Sequence, residues 1–426
     1  MSVKYPKSLH PIFLKLINHN IKPIIVGGYI RDSLLNQESQ DIDIELYNID
    51  SLEYVEKILE EFGSVNSVGK SFGICKLKYR DLELDFSLPR TDSKIASGHQ
   101  GFQIQVDTSL NFIQASSRRD FTINAMGYDI KAKKLLDPFH GIEDLNKKHL
   151  KAVDLKKFDE DPLRVLRAIM FSARFEFSLE SSLFIKCKSM MQANVLKELA
   201  QERIFQEIKK ILLQSKKTSH GFLLLKHLDG FIFFNEFILL SEEKYFDILK
   251  SLDIFKQYYF TENEDTNITV MFALLCSKFT ITTQKSFLNK LTKNKKMINT
   301  IEKLTQTQLR LEDLHNYDIY KLATKVDISL YCVYLYALYH NNKKREIDNL
   351  VDKAKRLGVF HKKAEPFIKG RELLGFSLQP SALFSKILNN TYEAQMHEKI
   401  KNREEALIWI QNYLSLKDTF LEHNQD

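Results

Sequence analysis

The chain has 426 residues, is 44% hydrophobic and 27% charged, and carries a formal net charge of +7. That length exceeds one ordinary core, and the composition excludes a disordered polymer. Four scattered cysteines with no CxxC pair exclude a disulfide framework or a thiol-rich zinc module. The lack of a signal-like apolar start or a membrane-length apolar run makes the cytoplasm the expected setting, with no membrane partner.

The chain opens on a region rich in turns. Pro23-Ile-Ile-Val-Gly27-Gly28 reads as a short buried strand ending in a glycine turn, and Tyr29 to Leu35 as a helix. Asp41-Ile-Asp-Ile-Glu-Leu46 alternates acid and apolar residues at period two, the pattern of a half-buried strand. Ile74–Leu77 and Leu82–Phe86 repeat it. Nine of the 14 glycines lie at or before Gly141, and between Pro162 and Pro366 there is no proline. Beyond the first third the chain reads as helix after helix, with Leu, Ile, Phe and Lys at helical spacing. The expected class is α+β: a mixed head over residues 1–140, a helical neck over 141–210 and a helical body and tail over 211–426. The Lys-rich run from Gln284 to Lys303 reads as a solvated helix face.

Residues two apart on a strand point to the same side, so Asp41 and Asp43 present their carboxylates together while Ile42 and Ile44 face a core. Hard divalent ions such as Mg2+ take oxygen ligands and pair with nucleotide phosphates. Asp85, between Leu84 and Phe86, is a candidate third ligand or support. A solvent-facing strand edge gives the same spacing. At Gly27-Gly28, backbone N–H groups can approach phosphate oxygens, with Arg31 a turn later as a forked cation, although glycine pairs also simply make turns.

VGGYIRDSLL, DIDIELY, SSRRDFTINAM and DEDPLRVLRA, in this order and spacing, resemble the class II tRNA nucleotidyltransferases and bacterial poly(A) polymerases of the DNA polymerase β superfamily. The resemblance covers roughly residues 23–210. Residues 87–102, SLPRTDSKIASGHQGF, resemble the loop that CCA-adding enzymes carry after the strand bearing the third acid. Pro138–Gly141 with Ile142–Leu145 resembles the family's hinge, and Glu202-Arg-Ile204 a family helix. The family implies a polymerase-β-like head followed by helical neck, body and tail.

The resemblance places Arg119, Asp120 and Asn124 around the ribose and triphosphate. Arg119 can neutralise phosphate, while Asp120 and Asn124 can bond sugar hydroxyls. The alternative for Asp120 is to cap a helix starting at Phe121. Asp161, as cap of the helix after Pro162, and Arg164 one turn on are assigned the reading of the base, with Arg167 on an adjoining face. Leu163, Leu166, Ile169, Met170 and Ala173 form that helix's apolar side. Without substrate, Asp161 and Arg164 can instead form an intrahelical ion pair worth ~0.5 kcal/mol.

The implied activity is addition of C, C and A to the tRNA 3′ end from CTP and ATP, with Asp41, Asp43 and Asp85 in a two-metal mechanism using Mg2+. Enzymes adding only CC or only A, and poly(A) polymerases, share the chemistry. The long loop after Asp85 argues against a CC-only enzyme, and PRTDSK leans away from a poly(A) polymerase. A non-catalytic RNA-binding protein is the alternative of another class, and the acid pair argues against it. The nearest counterpart to the His-Asp phosphohydrolase module of some relatives, Phe272–Lys278, lacks both residues, so no phosphatase activity is expected.

Overall fold

The computed structural model describes residues 3–66, 73–94, 102–376 and 378–422. The chain divides into two compact units, one of residues 1–239 with 289–292 and one of residues 240–288 with 293–426.

In the first unit, α1 (His10–Asn18) leads into β1 (Lys22–Val26), then α2 (Gly28–Leu34), β2 (Asp41–Tyr47) and α3 (Leu52–Leu59). There follow β3 (Ser64–Asn66), β4 (Ile74–Tyr79), β5 (Leu82–Ser87), a hairpin of β6 (Arg90–Lys94) and β7 (Phe102–Val106), and α4 (Phe112–Ser116). β8 (Gly127–Asp129) and β9 (Lys134–Leu136) complete a sheet ordered β3-β4-β5-β2-β1-β8-β9. The sheet is mixed, since β2 pairs antiparallel with β1 and parallel with β5.

The period-two pattern of β2 explains its orientation. Ile42 and Ile44 are buried, while Asp41 and Asp43 reach the opposite, open face. The β2–β5 register sets Asp43 directly beside Asp85 and Ile44 beside Phe86. The segment at 87–102 contributes Ser87, the last residue of β5, and all of β6, then passes at 95–101 outside the described residues.

At the end of the sheet, Asp137 accepts the Gly141 and Ile142 N–H groups at 2.7 and 3.0 Å, fixing the start of α5 (Gly141–Lys147). After β10 (His149–Leu150) comes α6 (Leu163–Phe175), whose start Asp161 caps by accepting the Leu163 N–H at 3.1 Å. Leu163, Leu166, Ile169, Met170 and Ala173 are all buried, as the helical spacing predicts. β11 (Ser178–Leu179) pairs with β10 in a two-stranded parallel ladder. α7 (Ser181–Gln192) follows, and α8 (Gln201–Gln214) and α9 (Thr218–His227) pack against α6.

The second unit is helical throughout its described residues, beginning with α10 (Glu242–Tyr258) and α11 (Glu264–Cys276). From Val270 to Cys276 every residue of α11 is buried, so it shows no apolar stripe and reads as a core helix. At its C-terminal end Ile368, Leu373, Ile387, Ile400 and Ile410 form a separate small core. Cys75 and Cys187 in the first unit, and Cys276 and Cys332 in the second, are all buried. Among the described residues no helix is long and apolar enough to cross a membrane.

Candidate active site

A cavity of about 600 Å³ in the first unit runs from β2 to α6 and α8. Its lining carries eight arginines and one lysine against three aspartates, so it holds a large excess of positive charge. Such a field suits a polyanion such as a triphosphate.

At one end lies the acid pair. Asp43 lines this cavity and an adjoining one of about 190 Å³, where it meets Asp85, Arg90, Arg118 and Arg119. Asp41, two residues earlier on the same face, stands at the rim outside both linings. Asp43 reaches solvent, yet the surrounding protein crowds it. That desolvation pushes its carboxyl above the ordinary range; Arg119 and Lys76 pull it down, while Asp85 and Asp41 push it further up. Asp85 is held by Lys76, whose ammonium lies 2.8 Å away. Two like charges this close are relieved by a hard divalent cation, and an all-carboxylate donor set suits one. Among the described residues no three carboxylate, imidazole or thiol groups converge on one point. Asp41 and Asp43, two apart on β2, are the carboxylates that could hold such an ion.

Next to the acids is the glycine turn. Gly27 adopts φ +74° and ψ −131°, a conformation that side chains rarely accept. A Cβ there would lie 2.7 Å from Arg119 Nη1, and the missing side chain is what lets the guanidinium approach. Arg119 also donates to the Asn124 carbonyl at 3.3 Å. Gly28 begins α2 and lines the main cavity.

A buried chain of polar groups then crosses to α6. Arg31 donates through Nε to Asp32 at 2.8 Å and through Nη1 to Asn124 Oδ1 at 2.6 Å. Its guanidinium lies over Phe171 and Phe175, 5.0 and 4.8 Å from their ring centres. Asn124 donates to Asp120 at 3.0 Å, and Asp120 accepts Arg167 Nε at 2.6 Å. Burial alone would raise the Asp120 carboxyl. Arg167, with hydrogen bonds from Asn124 and the Phe121 N–H, takes it below the ordinary range instead. No α-helix starts at Phe121; the backbone makes a short 3₁₀ turn at Thr122–Asn124, and Asp120 faces inward.

At the far end are Asp161 and Arg164. They do not pair with each other. Arg164 donates to the carbonyls of Lys157 and Arg118 at 2.8 and 2.9 Å. Asp161 faces Arg203 of α8, whose Nη2 lies 3.4 Å from both carboxylate oxygens.

The structure thus gathers Gly28, Arg31, Asp43, Arg119, Asp120, Asn124, Asp161, Arg164 and Arg167 around one cavity, with Gly27 behind Arg119 and with Asp41 and Asp85 at its margin. Sequence reasoning passed over Arg174, which bonds Asp32 at 3.2 Å, and named Arg203 only within a family helix, with no role at the site. It also passed over Glu45, buried 3.6 Å from Arg118. Arg174 follows Arg167 by seven residues, two helical turns, and Glu45 continues the period-two face of Asp41 and Asp43. Both signals were present in the spacing.

The Poly A polymerase head domain profile matches residues 24–151, and a profile described as tRNA nucleotidyltransferase domain 2, putative, matches residues 263–410. The second match extends well beyond residue 210, where the motif resemblance fades. The CCA-adding enzyme of Lactococcus lactis subsp. cremoris (strain MG1363) is 28% identical over 410 residues, 93% of this chain and 94% of that one. The Multifunctional CCA protein of Xylella fastidiosa (strain 9a5c) is 34% identical over 202 residues, 47% of this chain and 46% of that one. Among solved structures, a CCA-adding enzyme in apo form II superimposes with TM-score 0.70 at 21% identity, covering 96% of this chain and 97% of that one. A complex of a CCA-adding enzyme with CTP gives TM-score 0.69 at 21% identity, covering 97% and 99%. These likenesses share the mixed head and helical remainder. Four ordered motifs converge on one cavity, and both profiles and a near full-length relative point the same way, to similarity with the class II tRNA nucleotidyltransferases, the family of CCA-adding enzymes and bacterial poly(A) polymerases.

Proposed function

We propose that this chain adds C, C and A in turn to the 3′ end of tRNA, taking CTP and ATP and releasing pyrophosphate. The observation that carries the reading is the single basic cavity with an acid pair at one end and an acceptor–donor pair, Asp161 and Arg164, at the other. It has ends suited to a triphosphate and to a base.

In this reading the tRNA 3′-hydroxyl attacks the α-phosphorus in line, and the bond to the bridging oxygen of the pyrophosphate breaks. Asp41 and Asp43 would hold a divalent ion such as Mg2+, which would supply stabilisation of the charge that develops on oxygen. Asp85, paired with Lys76 at 2.8 Å, lies beside Asp43 and supports the site. Arg119 neutralises phosphate, seated against Gly27. Arg31 has donors committed to Asp32 and Asn124, so its part is to orient Asn124 and add field. Asn124 and Asp120, held by Arg167, face the sugar.

Cytosine and adenine each present an amino donor beside a ring-nitrogen acceptor. Asp161 accepts from the first and Arg164 donates to the second. Uracil and guanine reverse both, leaving groups unpaired, a mismatch that rejects a substrate by orders of magnitude. Residues 1–140 form the catalytic head, 141–210 the neck with the base-reading helix, and 211–426 the body and tail that carry the tRNA. The enzyme works in the cytoplasm.

The test is incorporation of labelled CTP and ATP, singly and together, with Mg2+ on tRNAs ending before CCA, after C and after CC. Ordered addition of C, C and A followed by arrest is expected. Addition of CC or of A alone, long ATP-only tails, or no incorporation would each overturn it.

A further inference from the structure

Asp41, Asp43 and Glu45 lie on one face of β2, yet Glu45 is only 1% exposed. Burying a carboxylate so deep costs free energy that an apolar residue at the same place would not. One of its oxygens is fixed: Oε2 accepts the Tyr47 hydroxyl at 2.7 Å. Burial and then Glu45 itself raise that phenol, so Tyr47 stays a donor. The other oxygen, Oε1, accepts no hydrogen bond among the described residues; it faces Arg118 Nη2, 3.6 Å away.

Arg118 and Arg119 both line the main cavity and the smaller one beside the acid pair. They follow one another in sequence and carry like charge. Burial takes Arg119 below its ordinary range; Glu45 is the foremost group pulling it back, and Arg118 pushes it down again. Glu45 is thus the acid set behind two guanidiniums that repel each other. In the β2–β5 register it stands beside Ser87, which lines the smaller cavity. Without a hydrogen bond to Oε1, the carboxylate draws the Arg118 guanidinium by charge and does not tie up its N–H groups. An arginine released from that pull would spread over more rotamers, and ordering it again would weaken phosphate binding.

Resting on the triphosphate end of the functional reading above, we propose that Glu45 is a positioning residue for phosphate. It holds Arg118 beside Arg119 and so forms in advance the cationic pair that meets the triphosphate and, after transfer, the pyrophosphate.

The experiment is a double-mutant cycle. Glu45→Gln keeps the shape and an acceptor for Tyr47, and Arg118→Met keeps the apolar stem. Calorimetry with Mg2+ gives the affinity for CTP and for inorganic pyrophosphate, a probe with neither base nor sugar. Tm is measured alongside, with kcat and KM for CTP and UTP on tRNA ending before CCA. Glu45→Gln alone should weaken pyrophosphate and CTP alike, by roughly tenfold, with KM rising more than kcat falls. Preference for CTP over UTP should stay, because Arg164 rests on the Arg118 carbonyl and not on its side chain. In the Arg118→Met background the same change should have little further effect. Tighter pyrophosphate binding in Glu45→Gln would make the carboxylate a mere opposing charge, and the proposal would fall. Equal losses in both backgrounds, or unchanged pyrophosphate binding beside a lower Tm, would also overturn it. If Glu45→Gln melts at the assay temperature, Tyr47→Phe, which releases Glu45 Oε2, takes its place in the cycle with the same expectation. A parent that binds CTP and pyrophosphate but extends no tRNA would sink the functional reading, while the cycle would still decide the role of Glu45.

Discussion

The Asp43 carboxyl is raised first by burial, then, against the pull of Arg119 and Lys76, by its neighbours Asp85 and Asp41. A folded pKa above the unfolded one means that folding favours the protonated form. That contribution is fully present below the unfolded value and is lost as pH rises through the folded one. At neutral pH the ionised Asp43 therefore works against the fold. Asp43→Asn should melt higher than the parent in EDTA by calorimetry, while transfer falls on the order of a thousandfold or more; a lower Tm would contradict the electrostatic account. Asp120 behaves in the opposite sense. Although burial alone would raise its carboxyl, Arg167, Asn124 and the Phe121 N–H hold it below the ordinary range. Its stabilisation is present above ~3.9 and disappears as pH falls through the lower folded value. Asp120→Asn should lower stability at neutral pH by about 1–3 kcal/mol in urea titrations, with much less effect at acid pH. The spacing of Asp41 and Asp43 was legible because it lies within one strand. The Asp32–Arg174 and Asp161–Arg203 contacts were not, since the partners stand 142 and 42 residues apart in the chain.

Among the elements, the turn between β1 and α2 is where backbone geometry and phosphate chemistry meet most directly. A Cβ at Gly27 would be strained by its positive φ and would drive Arg119 Nη1 out of place. Gly27→Ala should cost about 1–3 kcal/mol of stability. It should also raise KM for CTP more than it lowers tRNA affinity, as checked by steady-state kinetics beside filter binding. β1, a short buried run before a glycine turn, and β2, β4 and β5, with a period of two, were readable in advance, and so was the apolar side of α6. The ladder of β10 with β11 was not, because each strand has only two residues and the partners are separated by the whole of α6. β8 and β9 were missed for the same reason of length, at three residues each. The turn at Thr122–Asn124 shows a different limit. Its residues suit a helix, but Asp120 and Asn124 are spent on Arg167 and Arg31.

Across the whole molecule, chemistry and packing leave different traces. The first unit carries motifs because phosphate, sugar and base each demand particular side chains. The second shows helical periodicity and buried runs such as Val270–Cys276, which many sequences satisfy equally well. That is why the resemblance by motif ended near residue 210, although a family profile matches residues 263–410. Phe272–Lys278 belongs to this packing: Phe272 to Cys276 are interior, and Lys278 pairs with Asp247 at 2.5 Å. The chain should therefore release no product from 2′,3′-cyclic AMP with any added divalent metal, as checked by chromatography. Metal-dependent hydrolysis would show a second active centre.

The four interior thiols have a practical consequence. Burial pushes Cys187 and Cys332 up to about 12, and Cys75 and Cys276 are equally enclosed. A thiolate-seeking reagent therefore has little to react with until some part of the fold opens. With two of these groups in each unit, the native protein carries its own set of clocks. The rate at which each sulfur is alkylated, read by mass spectrometry, times the breathing of its own neighbourhood without any engineered label.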